Sequence, residues 1–224
     1  MTSPAGRAAP ATRLDARALH RLAVVTVLGF ASGLPLALTG QAMQAWLSAS
    51  GIDIATIGFL SLVGLPYTFK FLWAPLMDRF ELPWLGRRRG WLVLTQLALA
   101  GALAWLAATP PSGAIRAFAL LACLVAFVSA SQDVVIDAYR TDLLVPAERG
   151  LGSSLSVLGY RLSMILSGGI AFIWVDPNQG GGWSWPEVYR FMAWLMCGAA
   201  VFSATALPRL VHAPRPQSAP RNDL

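Results

Sequence analysis

Six long apolar runs, separated by short polar stretches, alternate along the chain at about 22–47, 56–77, 91–109, 115–139, 151–175 and 188–208. A helix rises about 1.5 Å per residue, so about 20 apolar residues cross the ~30 Å hydrocarbon layer of a bilayer. The roughly ten-residue alternation of barrel strands does not occur. The pattern predicts six transmembrane helices over 22–208, a polar tail over 1–21 and a second polar tail over 209–224. The first run follows a tail carrying Arg7, Arg13, Arg17 and Arg21. Its length, and the lack of a small-residue cleavage site, predict a retained helix and not a cleaved signal.

The spacing of the runs repeats. Runs four, five and six begin about 93, 95 and 97 residues after runs one, two and three, and "GFASG" (29–33) is echoed by "AFVSA" (126–130). Because three crossings reverse the direction of the next unit, two such units are inverted in the membrane. The expectation is an all-α membrane protein with a 3+3 inverted repeat, the arrangement within one half of a major facilitator fold.

Composition supports the membrane reading and charge orients it. The chain is 56% hydrophobic and 12% charged, whereas a soluble domain carries roughly twice that charged fraction. The pI of about 10.1 would suit a nucleic-acid binder, but the arrangement of the basic residues gives another cause. Thirteen Arg lie in the two tails and in the loops over 78–90 and 140–150, against Arg116 and Arg190 in the alternate loops. By the positive-inside rule both termini face the cytoplasm, and no nucleic-acid partner is implied. Cys123 and Cys197 lie inside apolar runs, where small buried thiols are the ordinary reading. His20 and His212 flank the membrane region, leaving no His for a metal site or relay within it. No HExxH, GxSxG or Cys/His cluster appears, so the chain does not read as an enzyme and implies no cofactor.

The exceptions to hydrophobicity carry the candidate chemistry. A charge near the bilayer centre costs about 3 kcal/mol on insertion scales and needs a partner, a cavity or a function. Lys70 lies eight residues before Asp78, roughly 12 Å from the membrane edge, and Asp133 lies seven before Arg140, roughly 10 Å from it. The two opposite charges therefore stand at nearly equal depth, while Arg161 lies roughly 15 Å deep. They are either an ion pair that docks helices or a substrate and proton site in a wet cavity. Asp133 is the only carboxylate at depth, hence the candidate proton carrier. Asp137 shares its helical face one turn nearer the edge, where it is either a solvated interface residue or part of a gate with the nearby Arg cluster. Gln41, Gln44, Ser129, Ser131 and Gln132 offer uncharged donors and acceptors, or simply bridge helices. Gly29 and Gly33 form a GxxxG that reads as close helix packing. Pro35 and Pro66 read as kinks, and the nine Trp mostly as interface anchors and lipid-facing bulk.

The stretches "GFASGLPLALTGQAMQAWL", "IGFLSLVGLPYTFKFLWAPLMDRF", "GRRRGWLVLTQ", "SASQDVVIDAYRTDLL" and "SVLGYRLSMILSGG" resemble the amino-terminal half of the AmpG-type muropeptide permeases, major facilitator proteins of the Gram-negative inner membrane. The resemblance implies proton-driven import of anhydro-muropeptides, the GlcNAc-anhydroMurNAc fragments of wall turnover, for recycling and β-lactamase induction. "DRF…GRRRG" also resembles the superfamily's signature between helices two and three, carried here by Asp78, Arg79, Gly86, Arg87, Arg88 and Arg89. It marks Asp78, Arg79 and Arg87 to Arg89 as gate residues together with Asp137. Such a substrate presents carboxylates, amides and hydroxyls, which Lys70, Arg161 and the Gln and Ser groups suit. The family uses two six-helix halves, so this unit is expected to work with a second half, as a separate chain or a second copy. The polar tail reads as the start of a central linker. A carrier of another anionic solute such as a CoA ester, and an inactive or regulatory half-transporter, remain the alternatives.

Overall fold

The computed structural model describes residues 15–80, 87–179 and 181–208, with the side chains of Asp78 and Arg87 outside that description. Six helical spans are long and apolar enough to cross a membrane: Ala16–Ala49, Ile54–Leu72, Arg88–Ala107, Ile115–Leu143, Pro146–Val175 and Trp185–Thr205. Local chemistry sets several of their starts. The Asp15 carboxylate accepts from the Ala18 N–H at 2.7 Å and caps the first helix. Asp53 caps the second span by accepting from the Thr56 N–H and hydroxyl, which hold its carboxyl below the usual carboxylate range. Ser184 and Glu187 form a capping box at the sixth.

Three spans depart from ideal helix. In the first, helix α1 (Ala16–Thr39) runs through Pro35 and the chain breaks at Gly40 before α2 (Gln41–Ala49). The second is segmented into α3 (Ile54–Leu60), a 3-10 turn, α4 (Leu65–Phe69), a 3-10 turn over Lys70–Leu72 and α5 (Ala74–Arg79). Pro66 and Pro75 each remove an N–H from the ladder and favour such breaks. The third and fourth spans are the single helices α6 (Arg87–Ala107) and α7 (Ile115–Leu143). The fifth is α8 (Arg149–Met164), a π-helical stretch Ile165–Ile170 and α9 (Ala171–Val175). The sixth is α10 (Trp185–Thr205).

The packing follows the repeat. The first span packs on the fifth as the fourth does on the second; the third packs on the fourth as the sixth does on the first. Chain neighbours first–second and fifth–sixth touch only lightly, and first with fourth and third with sixth are the other main pairings. Exchanging the two three-helix units maps these pairings onto themselves, as a 3+3 repeat requires. The tightest seam joins α1 and α8. A Cβ at Gly29 or Gly33 would overlap the Ser156 or Tyr160 carbonyl, and one at Gly159 the Thr26 carbonyl. Only glycines let these two backbones approach so closely.

At the end of the bundle that holds the Arg-rich loops, hereafter the basic end, polar contacts tie spans together. Arg21 pairs with Glu148, Arg88 with Asp142 at 3.1 Å, and the Tyr139 hydroxyl donates to the Pro208 carbonyl at 3.0 Å. The opposite end is apolar and aromatic, with Trp46 between Phe118 and Tyr189. Trp46 and Trp185 are buried core residues and not interface anchors, because the helices close over them. Cys123 is exposed on the bundle surface, contrary to a buried thiol. Burial is uneven: 72% of the first span's most apolar window is inside the bundle, but 33% of the fifth's and 11% of the second's. The second and fifth spans thus present long apolar faces outward.

Candidate functional site

The break in the second span places Lys70, and the glycine seam brings α8 close enough for Tyr160 and Ser156 to join it. Together with α1 and α7 they enclose a cleft of about 180 Å³ lined by Ser32, Lys70, Asp133, Asp137, Arg140 and Tyr160, among others. Lys70 Nζ stands 3.8 Å from Asp133 and 4.0 Å from Asp137, bridging carboxylates one turn apart on α7. Neither distance reaches hydrogen-bond range. Asp133 instead takes its hydrogen bond from the Ser32 hydroxyl. Asp137 is paired more closely with Arg140, at 3.0 Å, and Arg140 also donates to Ser156 at 3.3 Å.

Exposure separates the two carboxylates. The Asp133 side chain is 10% exposed, Asp137 55% and Lys70 34%. Lys70 therefore spans a gradient from the bundle interior to its surface, loosely held at both ends. Two cations and two anions balance within the cleft, so one proton added to Asp133 leaves a net positive site and weakens the hold on Lys70.

The other predicted residues fall into three groups. Gln132 is buried, its Nε2 donating to the Ala31 carbonyl at 3.0 Å, and Ser129 is buried beside it on α7. Ser131 accepts from Trp73 Nε1 at 3.0 Å and donates to the Phe127 carbonyl, a helix-docking role. Arg161 and Gln41 lie apart from Asp133, lining a separate open cleft with the π-helical stretch of the fifth span. Gln44 is exposed on α2. Among the gate residues, Arg88 pairs with Asp142, Arg89 donates to the Ala204 carbonyl and Arg79 is exposed. The side chains of Asp78 and Arg87 lie outside the described residues. Asp137 is thus placed with Arg140 and Lys70, and Asp142 takes the Arg-cluster contact.

Sequence reasoning missed Ser32, Arg140, Ser156, Tyr160 and Asp142. Arg140 stood in the same "DVVIDAYRTD" stretch, three residues after Asp137, and helical spacing offered that signal; Asp142 pairs with Arg88 on another helix, which spacing along the chain does not show. Ser32 carried none, since a Ser in an apolar helix ordinarily bonds its own backbone.

Residues 21–116 match the family model described as acetyl-coenzyme A transporter 1. The chain is 52% identical over 176 residues to the anhydromuropeptide permease of Escherichia coli K12, covering 79% of this chain and 35% of that one. It is 31% identical over 189 residues to the putative transporter AmpG 4 of Rickettsia conorii, covering 83% of this chain and 45% of that one. A Haemophilus influenzae protein without a described function is 40% identical over 152 residues, 68% of this chain and 36% of the other. The chain spans between about a third and a half of the length of these relatives. Over the matched residues, which form most of its own length and a multi-pass membrane domain, it belongs with the AmpG-type transporters.

Proposed function

We propose that this six-helix unit is half of a secondary transporter that brings anhydro-muropeptides across the inner membrane into the cytoplasm with protons. The observation that carries the reading is the 52% identity, over 79% of this chain, to a protein named anhydromuropeptide permease. The Asp133–Lys70 pair, one partner buried and the other at the cleft mouth, supports proton coupling. Asp133 takes up the proton, and Lys70, released from it, turns to the substrate or to Asp137. Arg161 and Gln41, in a cleft of about 390 Å³, supply a fork of donors for a substrate carboxylate. The gate lies at the basic end, where Arg88–Asp142 ties the third span to the fourth and Arg140–Asp137 braces the fourth span's own helix. The Arg asymmetry supports an orientation with both termini cytoplasmic.

The outward apolar faces of the second and fifth spans support pairing with a second six-helix unit, around which alternating access would rock this one. The acetyl-coenzyme A transporter match supports a CoA ester as the second reading. The test is uptake of labelled anhydro-muropeptide into cells lacking their own permease. Expected is saturable, uncoupler-sensitive uptake when this chain is expressed with the second six-helix half of the E. coli relative, none with this chain alone, and no competition by acetyl-CoA. Uptake of acetyl-CoA in place of muropeptide would transfer the function to the second reading.

A further inference from the structure

One helical turn deeper than Asp133, away from the basic end, lies a group of polar side chains with buried, unpaired oxygens. Ser129 stands four residues before Asp133 on α7, and Tyr67 three before Lys70 on α4, so both step about one turn further into the membrane. The Tyr67 hydroxyl lies beside the hydroxyls of Ser129 and Thr39, within the field of Asp133. Its oxygen and that of Ser129 are nonetheless buried, and neither completes a hydrogen bond with a protein group. Gln132, next to Asp133 in the chain, is also fully buried with its Oε1 unpaired. Thr39 is committed as a donor to the Pro35 carbonyl at 3.0 Å and keeps only its lone pairs. Neighbouring polar groups behave differently: Ser32, Ser131 and Ser163 each have a partner.

Buried polar atoms in folded proteins are almost always hydrogen-bonded, by protein or by ordered water. A cluster of them between three helices is the setting in which buried water makes its two to four bonds. We propose that Tyr67 and Ser129 hold ordered water against Asp133, and that the Tyr67 hydroxyl is the relay through which protons pass between Asp133 and the membrane half away from the basic end. This rests on the proton-coupled reading of the Asp133 cleft.

The step balances without any further reactant. A hydronium on the far side gives its proton to the water held by Tyr67 and Ser129, which passes a proton to the Tyr67 oxygen. Tyr67 gives up its own hydroxyl proton in the same movement, so it begins and ends as a neutral phenol. The last water protonates Asp133, whose carboxylate becomes a carboxylic acid. Among the described residues, the charged and titratable groups facing Asp133 are Lys70 from the second span, Asp137 and Arg140 from its own helix and Tyr160 from the fifth. From the first span comes the Ser32 hydroxyl. Of these, Tyr160 stands at about the depth of Tyr67 but lines the Asp133 cleft itself; outside that lining, Tyr67, Ser129 and Thr39 are the hydroxyl groups on the deeper approach.

The experiment is infrared spectroscopy of the purified full chain in lipid nanodiscs, at a pH low enough to protonate Asp133, following its carboxylic-acid band after a jump into D2O. Asp133→Asn identifies the band. Tyr67→Phe, which removes one oxygen and keeps the ring, is expected to slow its exchange at least tenfold with unchanged circular dichroism and melting. Ser129→Ala is expected to slow it too and serves if Tyr67→Phe does not fold. Exchange at the wild-type rate in both variants would overturn the relay. Because this readout needs no substrate, a wild-type chain that moves no muropeptide even when expressed with the second six-helix half, but shows slowed exchange in Tyr67→Phe, refutes the transport reading and leaves the relay standing. In cells that take up muropeptide, Tyr67→Phe is expected to lose gradient-driven uptake and to keep substrate exchange at equilibrium. Equal loss of both would make Tyr67 a substrate contact and overturn its role as a relay.

Discussion

Neutralising Lys70 and Asp133 singly and together separates the stability of their pair from its function. At 3.8 Å and an effective dielectric near 20, the attraction is about 4 kcal/mol. The second pairing, at 4.0 Å to an Asp137 that is 55% exposed, is screened by solvent and contributes below about 1 kcal/mol. Lys70→Gln leaves Asp133 buried with only the Ser32 hydroxyl as partner, and breaking a buried pair typically costs about 3–5 kcal/mol. The loose geometry puts the expected loss at the lower limit, about 3 kcal/mol. Asp133→Asn retains Ser32 as a neighbour and keeps Lys70 near Asp137 and the cleft mouth, so its expected loss is smaller, about 1 kcal/mol. The double variant carries no buried charge and is expected within about 1 kcal/mol of wild type, giving a coupling energy of about 3 kcal/mol. The assay is denaturant unfolding of the full chain in mixed micelles, with membrane insertion scored by fractionation. Proton-driven uptake should be lost in all three variants even though the double one is stable. Losses that simply add, with coupling below about 0.5 kcal/mol, would refute the pairing. Normal uptake by Asp133→Asn would remove the proton-carrier role.

Gly29→Ala is expected to destabilise the bundle by about 1–3 kcal/mol through overlap with the Ser156 carbonyl. Gly101→Ala, on open helix surface, should be neutral or gain up to about 1 kcal/mol; equal unfolding midpoints for the two would contradict the seam. Arg161→Gln should raise the KM for muropeptide about 10- to 100-fold with insertion unchanged, as loss of a charged hydrogen bond implies. Arg161→Lys should recover only part of that, and an unchanged KM in both would remove Arg161 from the substrate cleft. Reporter fusions at Asp53 and Pro177 should read periplasmic and one at Gly86 cytoplasmic; a periplasmic signal at Gly86 would reverse the topology.

The spans and the depth of the charges were legible in the sequence because both depend on distance along the chain. Twenty apolar residues announce a crossing, and counting from Asp78 and Arg140 at the membrane edge put Lys70 and Asp133 at nearly the same level, where the structure pairs them. Rotation about the helix axis was not legible. Arg161, counted as the deepest charge, faces a different cleft, since the α1–α8 glycine seam fixes which face of the fifth span turns toward Asp133. The same seam brings Tyr160 and Ser156 to the ion pair, and only the packing of α1 on α7 reveals Ser32 as the hydrogen-bond donor to Asp133. Breaks were half legible. Pro66 and Pro75 mark the segmented second span, but Pro35 sits in unbroken helix, because losing one N–H does not end a helix that neighbours hold on both sides. The π-helical stretch at Ile165–Ile170 has no sequence signal beyond its two glycines.

The most direct test of the central claim is whether muropeptide and protons move together. Cells lacking their own permease, expressing this chain with the second six-helix half of the E. coli relative, are suspended in weakly buffered medium and given unlabelled anhydro-muropeptide. The account predicts a transient alkalinisation of the medium that scales with substrate, disappears with an uncoupler and is absent with Asp133→Asn. Muropeptide entry with no change in external pH, or alkalinisation undiminished by Asp133→Asn, would contradict it.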